Sequence, residues 1–328
     1  MKSRRRSYLK LGVALLLALA AFALLYFGMN FLEGKMFGAE EEGIVQDSFG
    51  QITFEGKTYK PKTQMSTMLV IGLDTYTAGT EAERGDAMSD FLALIAFDRN
   101  EETYNIIHIN RDTMMDVPVL GVFGDPAGTS YQQIAWAHSY GSGKDDSCRN
   151  TADAVSSLLL DIPVDNYVSV TMDAVSTLND HIGGVEVKVT EDFSKVDPSL
   201  VMGERIRLTG EQAVTYVRAR GSVGDETNLS RMERQKKYMH ALVDSLEAAY
   251  AKDSSVATSA VEAVEDYIVT DCTLGELADL ASDFSSFTLE GIISPEGESK
   301  VGERYMEHTL DEDALTKMVI DIFYKEVE

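Results

Sequence analysis

Short apolar runs, each ending in a polar or turn residue, mark the start of the folded part of the chain. Residues 68–73 form one such run and Asp74 follows it; residues 91–97 and 104–109 form two more. Runs of this length are typical of strands buried on both faces. Before them, residues 51–61 alternate apolar and polar positions around a turn-like Glu55-Gly56-Lys57. The pattern predicts a short hairpin followed by three buried strands.

Helical and extended patterns alternate in the rest of the chain. Thr209–Gln212 and Ser230–Glu233 each have the form of a helix capping box. The further predicted elements are helices at 151–160 and 172–181, strands at 167–170 and 185–189, a long helix from Ser230 to about Lys252, a strand from Ile268, and helices at 274–284 and 311–325. Strands alternating with helices predict an α/β fold, with a central mixed β-sheet sandwiched by helices in an α-β-α arrangement.

The N-terminus has the pattern of a membrane anchor. Five basic residues lie within residues 1–10, and residues 11–32 carry no charge. That run reaches roughly 33 Å as a helix, enough to cross a bilayer core of about 30 Å. Basic residues before it and acids after it predict a cytoplasmic N-terminus and an extracellular domain on a single-pass cell-membrane protein. The alternative is a cleaved signal peptide, but 37–39 is a poor cleavage site.

The predicted organisation is therefore a basic tail at 1–10, a transmembrane helix at 11–32, a juxtamembrane linker with a short hairpin at 33–65 and one extracellular domain at 66–328. The formal net charge is −25 despite the basic tail, which argues against nucleic-acid binding. Cys148 and Cys272 would form one disulfide or remain two free thiols, and both alternatives stay open.

Four arginines lie close together in this acidic chain, at 218, 220, 231 and 234. Guanidinium groups gathered in this way are typical of a phosphate or carboxylate site. If Ser230 caps the long helix, Arg231 lies in its first turn beside free N–H groups, and Gln235 lies on the same face. Arg218 and Arg220 would share a face of an extended segment. For Arg234 we favour an exposed position paired with surface acids.

Two aspartates lie at strand ends. Asp74 follows the first buried strand and Asp90 immediately precedes the second, where α/β sheets bind ligands. Carboxylates facing a phosphate require a bridging cation, and oxygen ligands suggest Mg²⁺. Either aspartate would alternatively be a turn or capping residue. Arg111-Asp112-Thr113 follows the third strand at the same predicted edge. A Walker A loop, a G-x-S-x-G elbow and an H-E-x-x-H motif are all missing from the sequence.

These segments together resemble the LytR-CpsA-Psr (LCP) family of bacterial cell-envelope proteins. The resemblance covers about residues 66–245, and its motifs occur in order as VIGLD, SDFLALIAFD, IHINRDT, IPVDNYVSV, IGGVEV, LTGEQAVTYVRAR and RMERQ. It implies a membrane-anchored phosphotransferase that moves a glycopolymer, such as teichoic acid or capsule, from an undecaprenyl-pyrophosphate carrier onto peptidoglycan with Mg²⁺. It also implies an apolar tunnel for the prenyl chain.

The resemblance assigns roles by motif. Asp74 and Asp90 would hold the metal. The residues implied in pyrophosphate binding are Arg84, Arg111, Arg218, Arg220, Arg231 and Gln235, and those implied in catalysis are Arg111, Asp112, Arg218 and Arg220. Asp112 and Asp225 are candidates for accepting the proton of the attacking hydroxyl.

Some positions depart from the family pattern. Met88 replaces an arginine, for which Arg84 would substitute, and Asp86 competes with Asp90 as a metal ligand. Asn228 replaces an aspartate and Ala135 an asparagine. These changes keep two alternatives to the transferase open: a polyprenyl-pyrophosphate hydrolase, and a non-catalytic regulatory protein that binds the lipid pyrophosphate.

Overall fold

The structure is a computed structural model that describes residues 45–46, 50–74 and 88–327. No helix within these ranges is long and apolar enough to cross a membrane. The predicted tail and transmembrane helix, residues 33–44 and 47–49 of the predicted linker, and Arg84 and Asp86 lie outside the described residues. The described residues divide into two compact units, one up to Tyr59 together with Val327, and one from Lys60 to Glu326.

The turn of the predicted hairpin lies in the first unit. Strands β1 (Val45–Gln46), β2 (Ile52–Phe54) and β3 (Lys57–Pro61) pair antiparallel in the order β1-β2-β3. The turn needs two residues with positive φ, and Glu55 (49°) and Gly56 (75°) provide them. Positive φ at both central positions is typical of tight hairpins, so the prediction of a hairpin is confirmed.

A six-stranded mixed sheet forms the centre of the second unit. Its strands are β4 (Met65–Leu73), β5 (Ser89–Asp98), β6 (Thr103–Ile109), β9 (Asn166–Val170), β12 (Ile268–Thr270) and β13 (Thr288–Ile293), in the order β12-β9-β4-β5-β6-β13. β4 pairs with β9 and β6 with β13 in parallel, and the other pairs are antiparallel. The predicted α/β fold with a central mixed sheet is confirmed.

Seven α-helices are described: α1 (Asp145–Leu158), α2 (Met172–His181), α3 (Gly210–Arg218), α4 (Asn228–Tyr250), α5 (Val256–Val264), α6 (Leu274–Ser286) and α7 (Glu312–Phe323). A 3-10 helix spans Ile134–Tyr140. One sheet face, with Met68 and Tyr104, packs against Met239 of α4, Val261 of α5 and Leu277 of α6. Burial of these apolar side chains fixes the helices on that face.

The remaining strands lie outside the central sheet. β7 (Met114–Leu120) pairs with β8 (Pro126–Gln133), β10 (Val185–Lys188) with β11 (Arg205–Leu208), and β14 (Gly297–Val301) with β15 (Met306–Leu310); β16 spans Tyr324–Glu326. The strand predicted at 185–189 therefore does not join the central sheet with the strand predicted at 167–170, because β10 pairs with β11. The alternating pattern in β10 reports one buried face, and it does not specify the partner strand.

Two helix starts differ from prediction. α1 begins at Asp145 rather than Thr151, with two aspartates in its first turn. The capping box at Ser230–Glu233 is wrong: Thr227 caps α4, and its side-chain oxygen accepts from the Ser230 N–H at 3.1 Å. The box at Thr209–Gln212 is confirmed. Arg231 is thus the fourth residue of α4. Its own N–H donates to the Thr227 carbonyl within the helix, so it is not one of the free N–H groups of the first turn.

Both cysteines are free thiols. Burial of Cys148 in α1 raises its pKa to about 12, which keeps it protonated. The free-thiol alternative is the one that the structure adopts.

Candidate functional site

One edge of the central sheet collects the charged residues that the sequence singled out. β4 and β5 are antiparallel, so Asp74 after the end of β4 and Asp90 at the start of β5 lie at the same edge. β6 is antiparallel to β5, with Ile109 opposite Leu92, so the segment after β6 brings Arg111 to this edge as well. Sheet topology alone thus gathers two carboxylates and one guanidinium.

Arg231 of α4 completes the cluster. Its Nη1 donates to Asp90 Oδ1 at 3.3 Å, and Arg111 Nη1 donates to the same oxygen. Arg111 Nε is buried without a hydrogen-bond partner, 3.8 Å from Asp112 Oδ1. Burial lowers the pKa of Arg231, and the nearby charges of Arg111 and Arg220 act in the same direction. The arrangement places two guanidinium groups on one carboxylate oxygen.

A neutral amide holds the other side of Arg231. Asn228 Oδ1 accepts from Arg231 Nη2 at 2.7 Å and from Nε at 3.2 Å. Asn228 Nδ2 donates to Asn110 Oδ1 at 2.8 Å, and the Asp112 N–H donates to that same oxygen at 3.0 Å. This network joins the start of α4 to the segment that follows β6.

Arg218 ends α3 and forms a two-point ion pair with Asp74. Its Nε lies 2.6 Å from Oδ1 and its Nη2 lies 3.0 Å from Oδ2. Paired bonds of this kind orient a guanidinium strongly. The predicted extended segment is wrong: Arg218 is helical and Arg220 lies two residues beyond the helix, exposed. Arg220 is still close enough for its charge to oppose the rise in the pKa of Asp112.

A cavity of about 250 Å³ opens beside the cluster. Its charged and amide lining comes from Asp74, Asp90, Arg218, Arg231 and Gln235. The other lining side chains are apolar except Tyr238, whose hydroxyl donates to Asn179 Oδ1 at 3.3 Å; they include Val70, Phe91, Ala93, Ile95, Ile106, Leu178, Met239 and Phe284. Because Val70 and Ala93 lie deeper along β4 and β5 than the aspartates, the charged side chains form the mouth.

Glycine at position 72 shapes the wall of this cavity. A Cβ at Gly72 would lie 2.7 Å from the Cβ of Phe91, its partner across the β4–β5 pair. Non-bonded carbon atoms do not approach this closely, so Phe91 can occupy its position beside β4 only because Gly72 has no side chain.

Gln235 lies one turn after Arg231 and lines the same cavity, as predicted. Its Nε2 donates to the Val217 carbonyl at 3.2 Å. It also hydrogen-bonds His108 of β6, whose ring packs 5.0 Å from Phe91. Burial lowers the pKa of His108 to about 4, so the ring stays neutral behind the site.

Asp112 lies behind Arg111 and is buried. Its Oδ1 accepts from Gln133 Nε2 at 2.8 Å, and burial raises its pKa. Asp225, in contrast, is exposed, and hydrogen bonds from Thr227 lower its pKa. A carboxylate with a raised pKa is the better proton acceptor, so the directions of the two pKa shifts favour Asp112 of the two candidates.

Arg234 does not face the cavity, and its predicted exposure is wrong. It is 1% exposed, and its guanidinium pairs with Glu191 and donates to the carbonyls of Tyr216 and Ala219. The prediction failed because charge alone does not show which face of α4 packs against α3.

Two residues that depart from the family pattern, Met88 and Ala135, contact Arg111. Met88 Sδ lies 3.7 Å from Arg111 Nη2, and Ala135 contributes its backbone: its N–H donates to the Arg111 carbonyl at 3.2 Å. Asn110, His108 and Gln133 support the site and were missed from the sequence. For His108 and Asn110 the available signal was a polar residue within or directly after an otherwise apolar strand, whereas Gln133 ends a largely polar strand and gave no such signal.

The site fits a magnesium ion by the chemistry of its donors. Mg²⁺ is commonly held by one or two carboxylates together with substrate phosphates. Asp74 and Asp90 supply two carboxylates at one cavity mouth. Among the described residues no group of three or more His, Cys, Asp or Glu could hold a metal without such a substrate.

The fold and the site together form a cavity with an apolar interior and a mouth that carries arginine and aspartate side chains. The chain belongs to the LytR-CpsA-Psr family: residues 38–318 match the family described as LytR_cpsA_psr. The resemblance noted from the motifs is thereby confirmed.

Named relatives of the chain are transferases. It is 31% identical over 289 residues to the Bacillus subtilis polyisoprenyl-teichoic acid–peptidoglycan teichoic acid transferase TagV, covering 85% of this chain and 68% of TagV. The TagT enzyme of the same species is 26% identical, covering 82% of this chain and 78% of TagT.

Solved structures share the fold. The crystal structure of B. subtilis TagV matches with a TM-score of 0.60 at 25% identity, covering 79% of this chain and 97% of that one. A structure described as TagT bound to LI-WTA matches with a TM-score of 0.61 at 23% identity, covering 87% and 96%.

Proposed function

We propose that this protein is a phosphotransferase that moves a glycopolymer from a polyprenyl-pyrophosphate carrier onto peptidoglycan, with Mg²⁺, at the outer face of the cell membrane. One observation carries the proposal: an apolar cavity is joined directly to a mouth with arginine and aspartate side chains. The names of the relatives supply the donor and acceptor classes. The predicted N-terminal helix would hold the domain beside its lipid substrate.

The cavity suits the lipid half of such a carrier. Its deeper lining comes from apolar residues of β4, β5, β6, α2 and α4, such as Val70, Ile95, Ile106, Leu178 and Met239. Prenyl units are pure hydrocarbon, and burying them here gains free energy in proportion to the apolar area removed from water. Polar groups of the carrier gain nothing there, so the diphosphate stays at the mouth.

The mouth suits the diphosphate. Arg111, Arg218 and Arg231 are paired with Asp74 and Asp90, and guanidinium groups bind phosphate oxygens in the same paired geometry as carboxylates. A bound diphosphate would take the place of the carboxylates as their partner. Asp74 and Asp90 would then hold Mg²⁺, which neutralises phosphate charge and stabilises the charge that develops during transfer.

The transfer step is a displacement at phosphorus. A sugar hydroxyl of peptidoglycan attacks the phosphorus nearest the glycopolymer, forming a new P–O bond. The bond from that phosphorus to the bridging oxygen breaks, and polyprenyl phosphate leaves with the electron pair. Asp112 is the candidate acceptor for the hydroxyl proton, and the arginines hold the phosphoryl oxygens in line.

The test uses the full-length protein in detergent with labelled lipid-linked polymer, Mg²⁺ and peptidoglycan. We expect label in the insoluble wall fraction, and none with Asp90→Asn. Free labelled polymer without wall label would show the hydrolase instead. Tight binding without either product would show the regulatory binder, and in both cases the transferase proposal would fail.

A further inference from the structure

The residue that accepts two hydrogen bonds from Arg231 is Asn228, which carries a neutral amide where the family usually has an aspartate. Asn228 is 7% exposed and Arg231 is also 7% exposed, so this contact is shielded from water. Both Nε and Nη2 of Arg231 donate to the single Oδ1 of Asn228. The third nitrogen, Nη1, is directed to Asp90 at the cavity mouth.

Asn110 determines which way the Asn228 amide points. The Asp112 N–H is a donor, and it donates to Asn110 Oδ1 at 3.0 Å. That oxygen therefore faces Asn228 as an acceptor, and only an N–H of Asn228 can meet it, at 2.8 Å. The Asn228 oxygen is then left for Arg231. Asn110, Asn228 and Arg231 are thus joined in one chain of hydrogen bonds, each from an N–H to an oxygen.

An aspartate at 228 would break this chain in two ways. A carboxylate oxygen would face Asn110 Oδ1, placing two acceptors together. A full negative charge would also lie within hydrogen-bonding distance of Arg231. It would neutralise the positive charge of the guanidinium that a bound anion requires. A neutral amide accepts the same hydrogen bonds from Arg231 without neutralising its charge.

We propose that Asn228 is a positioning residue that fixes Arg231 without neutralising it, and that Asn110 sets the orientation of the Asn228 amide for this role. The proposal rests on the proposed function, because the charge that it preserves serves the diphosphate of the carrier. It predicts that restoring the family's aspartate weakens the site in this chain rather than improving it.

The experiment measures binding of two probes to the full-length protein in detergent with Mg²⁺ by titration calorimetry. Geranylgeranyl diphosphate tests cavity and mouth together, and geranylgeraniol, which lacks the charge, tests the cavity alone. Asn228→Asp should weaken diphosphate binding by about tenfold or more and leave geranylgeraniol binding within about twofold. A purely structural role would weaken both probes equally.

Leu229→Asp is the matched control. Leu229 is the next residue of α4 and is 47% exposed, so this variant adds the same charge in the same turn without touching Arg231. It should keep diphosphate binding within about threefold, because an exposed charge is screened. Asn228→Leu removes the hydrogen-bond acceptor for Arg231 without adding charge, so it should weaken diphosphate binding less than Asn228→Asp does.

Three outcomes overturn the proposal. They are unchanged or tighter diphosphate binding by Asn228→Asp, an equal loss with Leu229→Asp, and an equal loss for both probes. Failure of the proposed function has a different signature, since the unaltered protein would then bind geranylgeranyl diphosphate no better than geranylgeraniol.

Discussion

Arg231 and Arg234 lie three residues apart on α4, and their surroundings differ in kind. Both are buried, at 7% and 1% exposed. Arg234 is enclosed by fixed partners within the fold: Glu191, two backbone carbonyls, and the Phe193 ring 5.7 Å from its guanidinium carbon. Arg231 is held by a neutral amide on one side and faces a cavity on the other. Burial alone therefore does not separate a structural arginine from a binding one; the remaining partners do.

The sharpest test of this contrast is Arg231→Met. It removes a charged group aimed at the diphosphate, so we expect transfer to fall by about 100-fold or more. The cost to stability should be about 1–2 kcal/mol, since Asp90 loses one guanidinium donor but keeps Arg111, and Asn228 Oδ1 loses both of its donors from Arg231. Initial rates and thermal melts measure the two effects. A loss of activity no greater than the unfolded fraction explains would contradict the assignment.

Arg234→Met should show the opposite balance. It leaves Glu191 without its charged partner, so we expect the free energy of unfolding to drop by about 3 kcal/mol in urea titrations. Replacing both residues, as Arg234→Met with Glu191→Met, should lose less than the single variant because no unpaired charge remains. If the double variant is the less stable one, the ion pair contributes more than its desolvation costs and the account of Arg234 is wrong.

His108 extends the comparison to pH. Its pKa in the folded protein is about 4, below the usual 6.5 of the unfolded chain, so folding favours the neutral ring. The stability it contributes is complete above pH 6.5 and is lost as the pH falls through 6.5 toward 4. Between pH 6.5 and 4.5 we expect a loss of about 2 kcal/mol that His108→Gln does not show. Identical pH profiles for the two proteins would contradict this.

The smallest expected effect is at Ser230. Its hydroxyl donates to Glu191 Oε1 at 2.8 Å, so Ser230→Ala should cost about 1 kcal/mol of stability and little transfer activity. Leu229→Ala, at the exposed neighbouring position, should stay within about 0.5 kcal/mol. A drop in diphosphate affinity for Ser230→Ala beyond that for Leu229→Ala would show that the two arginine environments are coupled.

The sequence predicted the strands and the charged edge because apolar runs and charged residues are local signals. Asp74, Asp90 and Arg111 lie at one edge because β4, β5 and β6, which follow one another along the chain, pair antiparallel. The start of α4 was misplaced because Thr227 and Ser230 are both good capping residues, and only the backbone geometry decides between them. The edge strand β13 and the partner of β10 depend on pairing between distant segments, which periodicity does not encode.

The environment of each arginine was also beyond sequence reasoning. Arg231 and Arg234 carry the same charge on the same helix, and their difference comes from α3 and the segment containing Glu191, which pack on one face only. The Asn110–Asn228 contact joins residues 118 positions apart. Contacts of this kind exist only once the fold has formed.

The most direct test of the account is a crystal structure of the full-length protein with geranylgeranyl diphosphate and Mg²⁺. We expect phosphate oxygens within hydrogen-bonding distance of Arg111, Arg218 and Arg231, and the hydrocarbon chain between Phe91 and Met239 in the cavity. A diphosphate bound away from these arginines, or a chain lying outside the cavity, would contradict it.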